Sequence, residues 1–135
     1  MHDSLIGAAL PTTSALAYIG DARHSLYVRK MLAKKGICKS GELNEASLLY
    51  VTAEAQAEMM RKIKPMLLDD ELEVYRRASN STHVNRPKPA KAADYRAASG
   101  FEAVLGMLEW IGDGERLSEI LKLAHTEDIE NDTEN

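Results

Sequence analysis

Two carboxylates stand out because of what surrounds them. Residues 15–22 read ALAYIGDA and residues 97–106 read AASGFEAVLG. Each is a run of small and apolar residues interrupted by a single acid, Asp21 in the first and Glu102 in the second. A charge among apolar neighbours is costly unless it is paired, neutralised or bound to a cation. Three outcomes fit the spacing. Asp21 pairs with a cation such as Arg23 or Arg96, or Gly20-Asp21 forms a turn and helix cap, or the two acids converge on a divalent ion. Mg²⁺ suits the last, since it takes a few carboxylates and keeps several waters. Glycines flank both acids, Gly20 beside Asp21 and Gly100 and Gly106 around Glu102. Each costs a helix about 1 kcal/mol against alanine, which points to close backbone approach, for packing or for room beside the acids.

The elements that would carry these acids are helices, and the expected fold class is all-α. PTTS supplies hydroxyl caps for a long helix from about Ser14 to Lys35, closed by Gly36. A second is expected over Glu42 to Tyr50. A third follows Thr52, with Ala53, Ala57, Met60, Ile63 and Leu67 on one stripe, and Pro65 ends or bends it. LLDDELEVYRR reads as a fourth, starting at Asp69 or Asp70 with Leu72 and Tyr75 inward. The fifth, Asp94 to Ile111, has the stripe Ala97, Phe101, Val104, Leu105, Leu108, Ile111. A last helix carries Leu117, Ile120, Leu121 and Ala124, after a turn in which Asp113 and Glu115 serve as an ordinary connection. No strand alternation or repeat appears.

A chain of 135 residues, 44% hydrophobic, supports one core. The domain is expected over residues 1–124, with 125–135 an acidic, disordered tail. The net charge of −4 is uneven, because that tail holds five acids and no Lys or Arg. Ala22–Gly41 carries six basic residues and no acid, and Arg76–Arg96 six against Asp94 alone. Two basic segments on a near-neutral body suit phosphate recognition, although solvated helix faces have the same composition. One cysteine, Cys38, excludes an internal disulfide, and no stretch approaches a membrane span or a good signal peptide. A cytoplasmic location is the expectation. His24 and His83 have no metal-ligand spacing with Cys38, so no zinc site is expected.

With those residues in place, SALAYIGDARHSLYVRKML resembles the signature segment of ribonuclease III catalytic domains, and YRAASGFEAVLGMLEWIGDGERLSEIL their second acidic segment. YVTAEAQA and EVYRRASNS fall in the order of the short bacterial form, which lacks a separate double-stranded-RNA-binding domain. The resemblance covers about Ser14 to Leu123. It implies an all-α, homodimeric endoribonuclease that cleaves double-stranded RNA with Mg²⁺, acting in the short form on precursor large-subunit ribosomal RNA. Asp21 and Glu102 match the family's essential acids and would be both catalytic and metal ligands. The implied products carry 5′-phosphate and 3′-hydroxyl ends.

The chain departs from the family pattern in several places. Longer family members carry two more acids where this chain has Ser14 and Ala17, and an aspartate where it has Ser99. Asn44 and Glu45 stand where the short form is often basic, and Ala78 and Ser79 occupy places usually held by Gly and Arg. These changes thin the metal ligands and the positive charge. They motivate an alternative, a non-cleaving RNA-binding or ribosome-assembly factor on the same fold. The candidates for gripping RNA are Arg76, Arg77, Asn80, Lys88, Lys91 and Arg96, around the loop Ser79–Lys91, because A-form RNA is met through phosphates and 2′-hydroxyls. Tyr18 and Tyr95 are expected to pack in the core.

Overall fold

From Phe101 to Leu108 every residue is buried except Glu102, which is half-buried. A helix apolar all round must be surrounded by others. In this computed structural model, which describes residues 9–81 and 89–126, that helix is α5 (Pro89–Ile111), the axle of a bundle formed with α1 (Thr13–Lys34), α2 (Ser40–Val51), α3 (Ala53–Ile63), α4 (Asp69–Asn80) and α6 (Gly114–Ala124). The described residues contain no strand. α1, α3 and α4 each pack along α5, and α6 closes the bundle against α3 and α5.

The helix ends follow local chemistry. Thr12 and Thr52 cap α1 and α3, their Oγ1 accepting from Ala15 N and Ala55 N at 3.2 Å each. α1 ends before Gly36, whose φ of +92° reverses the chain at no side-chain cost. Pro65 converts the end of α3 into a single 3₁₀ turn, Lys64–Met66. Asp113 Oδ1 accepts from Arg116 N at 3.1 Å and caps α6, so the GDGER acid is a connection as expected.

Several faces differ from the sequence expectation. α5 begins five residues earlier than expected, and its buried set adds Ala98 on one side of the predicted stripe and Ala103 and Met107 on the other, while Ala97 and Ile111 are only half-buried. On α4 the fully buried positions are Glu71, Val74 and Ala78, with Leu72 and Tyr75 half-buried. Glu71 is inside because Arg116 Nε and Nη2 donate to its two oxygens at 2.8 Å, and Leu68 N donates at 2.9 Å. A buried carboxylate is tolerable when its charge and lone pairs are answered in this way. Tyr18 is 82% exposed and Tyr95 is 43% exposed, so neither is a core residue. Tyr18 lies off the inner face marked by Leu16, Gly20 and His24. His125, counted from sequence in the tail, is fully buried beyond α6. The tail from Glu127 lies outside the described residues.

Candidate active site

Gly20 and Gly106 decide where the two acids meet. A Cβ on Gly20 would lie 1.6 Å from Glu102 O, and one on Gly106 would lie 1.8 Å from Leu16 O. Only glycine permits this approach, so α1 and α5 touch backbone to backbone. Gly100 serves a different contact, since a Cβ there would meet the Tyr75 ring at 2.3 Å. Asp21 follows Gly20 by one residue, and Glu102 precedes Gly106 by one turn. Their carboxyls are brought within hydrogen-bonding reach of each other.

The two acids are not equivalent. Asp21 is exposed, despite the run of small and apolar residues around it in the sequence. It sits at the edge of the inner face of α1, one position past buried Gly20. Glu102 is the less accessible of the pair. Burial first, then its hydrogen bond to Asp21 and the Asp21 charge, push its carboxyl up to about 8, against a small opposing effect of a hydrogen bond from Gln56. Two carboxylates that cannot comfortably both ionise create a demand for positive charge. Among the described residues no Lys or Arg forms an ion pair with either acid. Arg23 pairs with Glu109 at 2.7 Å, because it lies about 200° around the helix from Asp21. α1 runs unbroken through Gly20-Asp21, so the turn-and-cap alternative is also excluded.

A hard divalent ion fits this pair of oxygens. The ligand set is thin, since among the described residues no group of three or more His, Cys, Asp or Glu is arranged to hold a metal. Bound water would complete the shell, as Mg²⁺ prefers. His83 lies outside the described residues.

Behind Glu102 lie groups the sequence reading did not assign. Gln56 Nε2 is 3.4 Å from Glu102 Oε2 and 3.2 Å from His24 Nδ1, and His24 Nε2 is 3.0 Å from His125 Nε2. Gln56, His24 and His125 are all buried. The available signal was a polar residue, Gln56, on the apolar stripe of α3.

The RNA-binding candidates among the described residues fall at one end of the bundle. Arg76, Arg77 and Asn80 are exposed at the end of α4, and Lys91 and Arg96 are exposed near the start of α5. Ser79 Oγ donates to Arg96 O at 3.1 Å and joins the two groups. Arg77 is partly engaged by Glu73 at 3.1 Å. Arg96 stands six residues before Glu102, about 9 Å of helical rise. Lys88 lies outside the described residues. The earlier basic segment points elsewhere. Arg23, Lys30 and Lys34 join Lys122 around a groove of about 460 Å³ between α1 and α6, on the flank of α1 away from Asp21.

The described residues form an all-helical bundle in which acids on two helices meet beside interlocked glycines, a pair of carboxyls with the chemistry to attract a divalent cation. The ribonuclease III domain model matches residues 14–113, and the chain belongs to that family. It is similar to a Mini-ribonuclease 3 of Symbiobacterium thermophilum, 41% identical over 109 residues, covering 81% of this chain and 84% of the relative. A Mini-ribonuclease 3 of Clostridium tetani is 36% identical over 125 residues, covering 89% and 82%. A crystal structure of a Fusobacterium nucleatum protein superposes with a TM-score of 0.76 at 24% identity, covering 87% of this chain and 93% of that one, which speaks for the fold alone. The chain is therefore an endoribonuclease of the ribonuclease III type, acting on double-stranded RNA. No helix among the described residues is long and apolar enough to cross a membrane.

Proposed function

We propose that this endoribonuclease is Mg²⁺-dependent, works as a homodimer in the cytoplasm and matures precursor large-subunit ribosomal RNA, leaving 5′-phosphate and 3′-hydroxyl ends. The observation that carries the reading is the meeting of Asp21 and Glu102 beside the Gly20–Gly106 contact. In this reading the two acids are the catalytic pair and the metal ligands. A bound Mg²⁺ supplies a water of lowered pKa and neutralises charge developing on the phosphate. The chain's own part is positional. The rigid helices hold the acids at fixed separation, and Arg76, Arg77, Asn80, Lys88, Lys91 and Arg96 draw in the duplex backbone through its phosphates.

The homodimer is supported by exposed apolar side chains. Tyr18 is 82% exposed, one turn before Asp21, and Leu48 and Leu49 on α2 are 58% and 72% exposed. None of the side chains of α2 is fully buried, which suits a helix awaiting a partner surface. A pair of sites related by two-fold symmetry would cut one strand each.

The thin ligand set favours a second reading, a factor that binds RNA without cutting it. Incubation with double-stranded RNA and Mg²⁺, with EDTA controls and mapped product ends, separates the two. The proposal expects cuts that EDTA abolishes, with products bearing 5′-phosphates. Gel-shift binding with no cleavage in either Mg²⁺ or Mn²⁺ would establish the second reading instead.

A further inference from the structure

Gln56 is 2% exposed and spends its amide between Glu102 and His24. Glu102 shares its proton with Asp21, so the oxygen it turns towards Gln56 is an acceptor and the N–H side of the amide faces it. One amide proton goes to Glu102 Oε2 and the other to His24 Nδ1. His24 Nδ1 must then be a bare acceptor, which leaves that ring's proton on Nε2. Nε2 in turn donates to His125 Nε2 at 3.0 Å, so His125 accepts there and carries its own proton on Nδ1. Both rings are neutral. Burial, with the neighbouring His125, holds His24 down to about 3, in keeping with that state.

Four helical segments meet in this chain of contacts. His24 comes from α1, Gln56 from α3, Glu102 from α5 and His125 from the end of α6. Phe101 braces His24 in a T-shaped contact at 5.1 Å between ring centroids, and Tyr27 and Tyr50 stand 4.9 and 5.8 Å from His125. The rings are thus clamped on several sides, and the amide they hold has little freedom.

We propose that Gln56 is a positioning residue for the cation site. Locked by the His24–His125 pair, it holds Glu102 Oε2 and fixes the plane in which that carboxylate meets Asp21 and a divalent ion. This rests on the metal-site reading given above. Gln56 suits the task because it donates without adding charge, so the two acids keep their full attraction for a dication. With only two protein carboxylates, orientation matters more than it would in a crowded site. Groups that orient a metal-binding side chain from behind are typically worth about tenfold to a hundredfold in metal affinity.

The test uses Mn²⁺ binding by electron paramagnetic resonance on RNA-free protein, with melting temperatures recorded alongside. Gln56→Met keeps the volume and removes the donor, and its Mn²⁺ affinity should fall about tenfold. His24→Phe keeps a ring but frees the amide, and should weaken Mn²⁺ in the same direction by less. ¹⁵N NMR of the metal-free wild type should show His24 protonated on Nε2 and bare on Nδ1. A folded Gln56→Met with unchanged Mn²⁺ affinity overturns the inference, as does a His24 protonated on Nδ1. Should Gln56→Met not fold, His24→Phe and the wild-type tautomer decide it. A wild type that holds Mn²⁺ yet cuts no RNA would end the cleavage reading while sparing this one.

Discussion

A Cβ built on Gly20 would lie 2.9 Å from Gly106 N, so at this crossing the backbones of α1 and α5 are in direct contact. Nothing larger than hydrogen fits on either residue. The spacing of Asp21 from Glu102 is set by this contact rather than by the acids themselves.

Gly106→Ala should therefore destabilise, although in an exposed helix the same change gains about 1 kcal/mol. Overpacking against the Leu16 carbonyl is expected to cost about 3 kcal/mol. Urea unfolding of the variant checks the sign. A stabilised variant would show that the helices part without cost.

Replacing either acid should separate activity from folding. Asp21→Asn and Glu102→Gln are expected to cleave double-stranded RNA at least about a hundredfold more slowly, with ordinary circular dichroism. In EDTA, Glu102→Gln should melt higher than the wild type, because one of two facing carboxylates is gone. Added Mg²⁺ should narrow that gap by stabilising only the wild type. Full activity in both variants would refute the site.

His24 makes stability fall with acid. Its pKa drops from 6.5 to about 3 on folding, through burial and then His125. Below pH 6.5 the unfolded chain binds a proton that the folded one refuses, so stability is complete above that value and declines towards pH 3. At about 1.4 kcal/mol per unit, the wild type should lose about 2–3 kcal/mol more than His24→Phe between pH 6.5 and 4.5. Parallel urea titrations at the two pH values measure the difference.

The Glu71–Arg116 pair ties α4 to α6. Arg116→Met should cost about 3–5 kcal/mol, since it strands a buried carboxylate. Adding Glu71→Met in the same chain should recover much of the loss, as both charges then leave together. Chemical unfolding of the two variants tests whether the pair acts as a unit.

Tyr18 offers the simplest probe of assembly. Tyr18→Glu places a charge on an exposed aromatic position and, with the proposed dimer formed through that face, should leave a monomer by light scattering. Cleavage should fall with it if paired sites share one duplex. A dimer unaffected by the change would place the interface elsewhere.

Much of the helical frame was legible in the order of residues because its cues are local. Thr12, Thr52, Pro65 and Gly36 each act within a turn of themselves, and the elements they bound appear close to where periodicity puts them. The glycines beside Asp21 and Glu102 likewise announced a close approach. Faces were harder to read. A single stripe on α5 suggested one buried side, but neighbours pack around it, and Tyr18 turned outward where apolar spacing had suggested core. Gln56 and Glu71 were passed over because a polar residue declares its burial only through a partner far away in the chain, 46 residues on for Gln56 with Glu102 and 45 for Glu71 with Arg116.

The sequence by itself determined which segments coil, where they stop and which two acids lack an obvious local partner, since these depend on neighbours within a few positions. Tertiary structure alone decided that Asp21 is exposed while Glu102 is half-buried, that Arg23 turns to Glu109, and that Gln56, His24 and His125 line up behind the site. Those outcomes depend on which helix flanks come to lie together, and that is settled by packing the whole core at once.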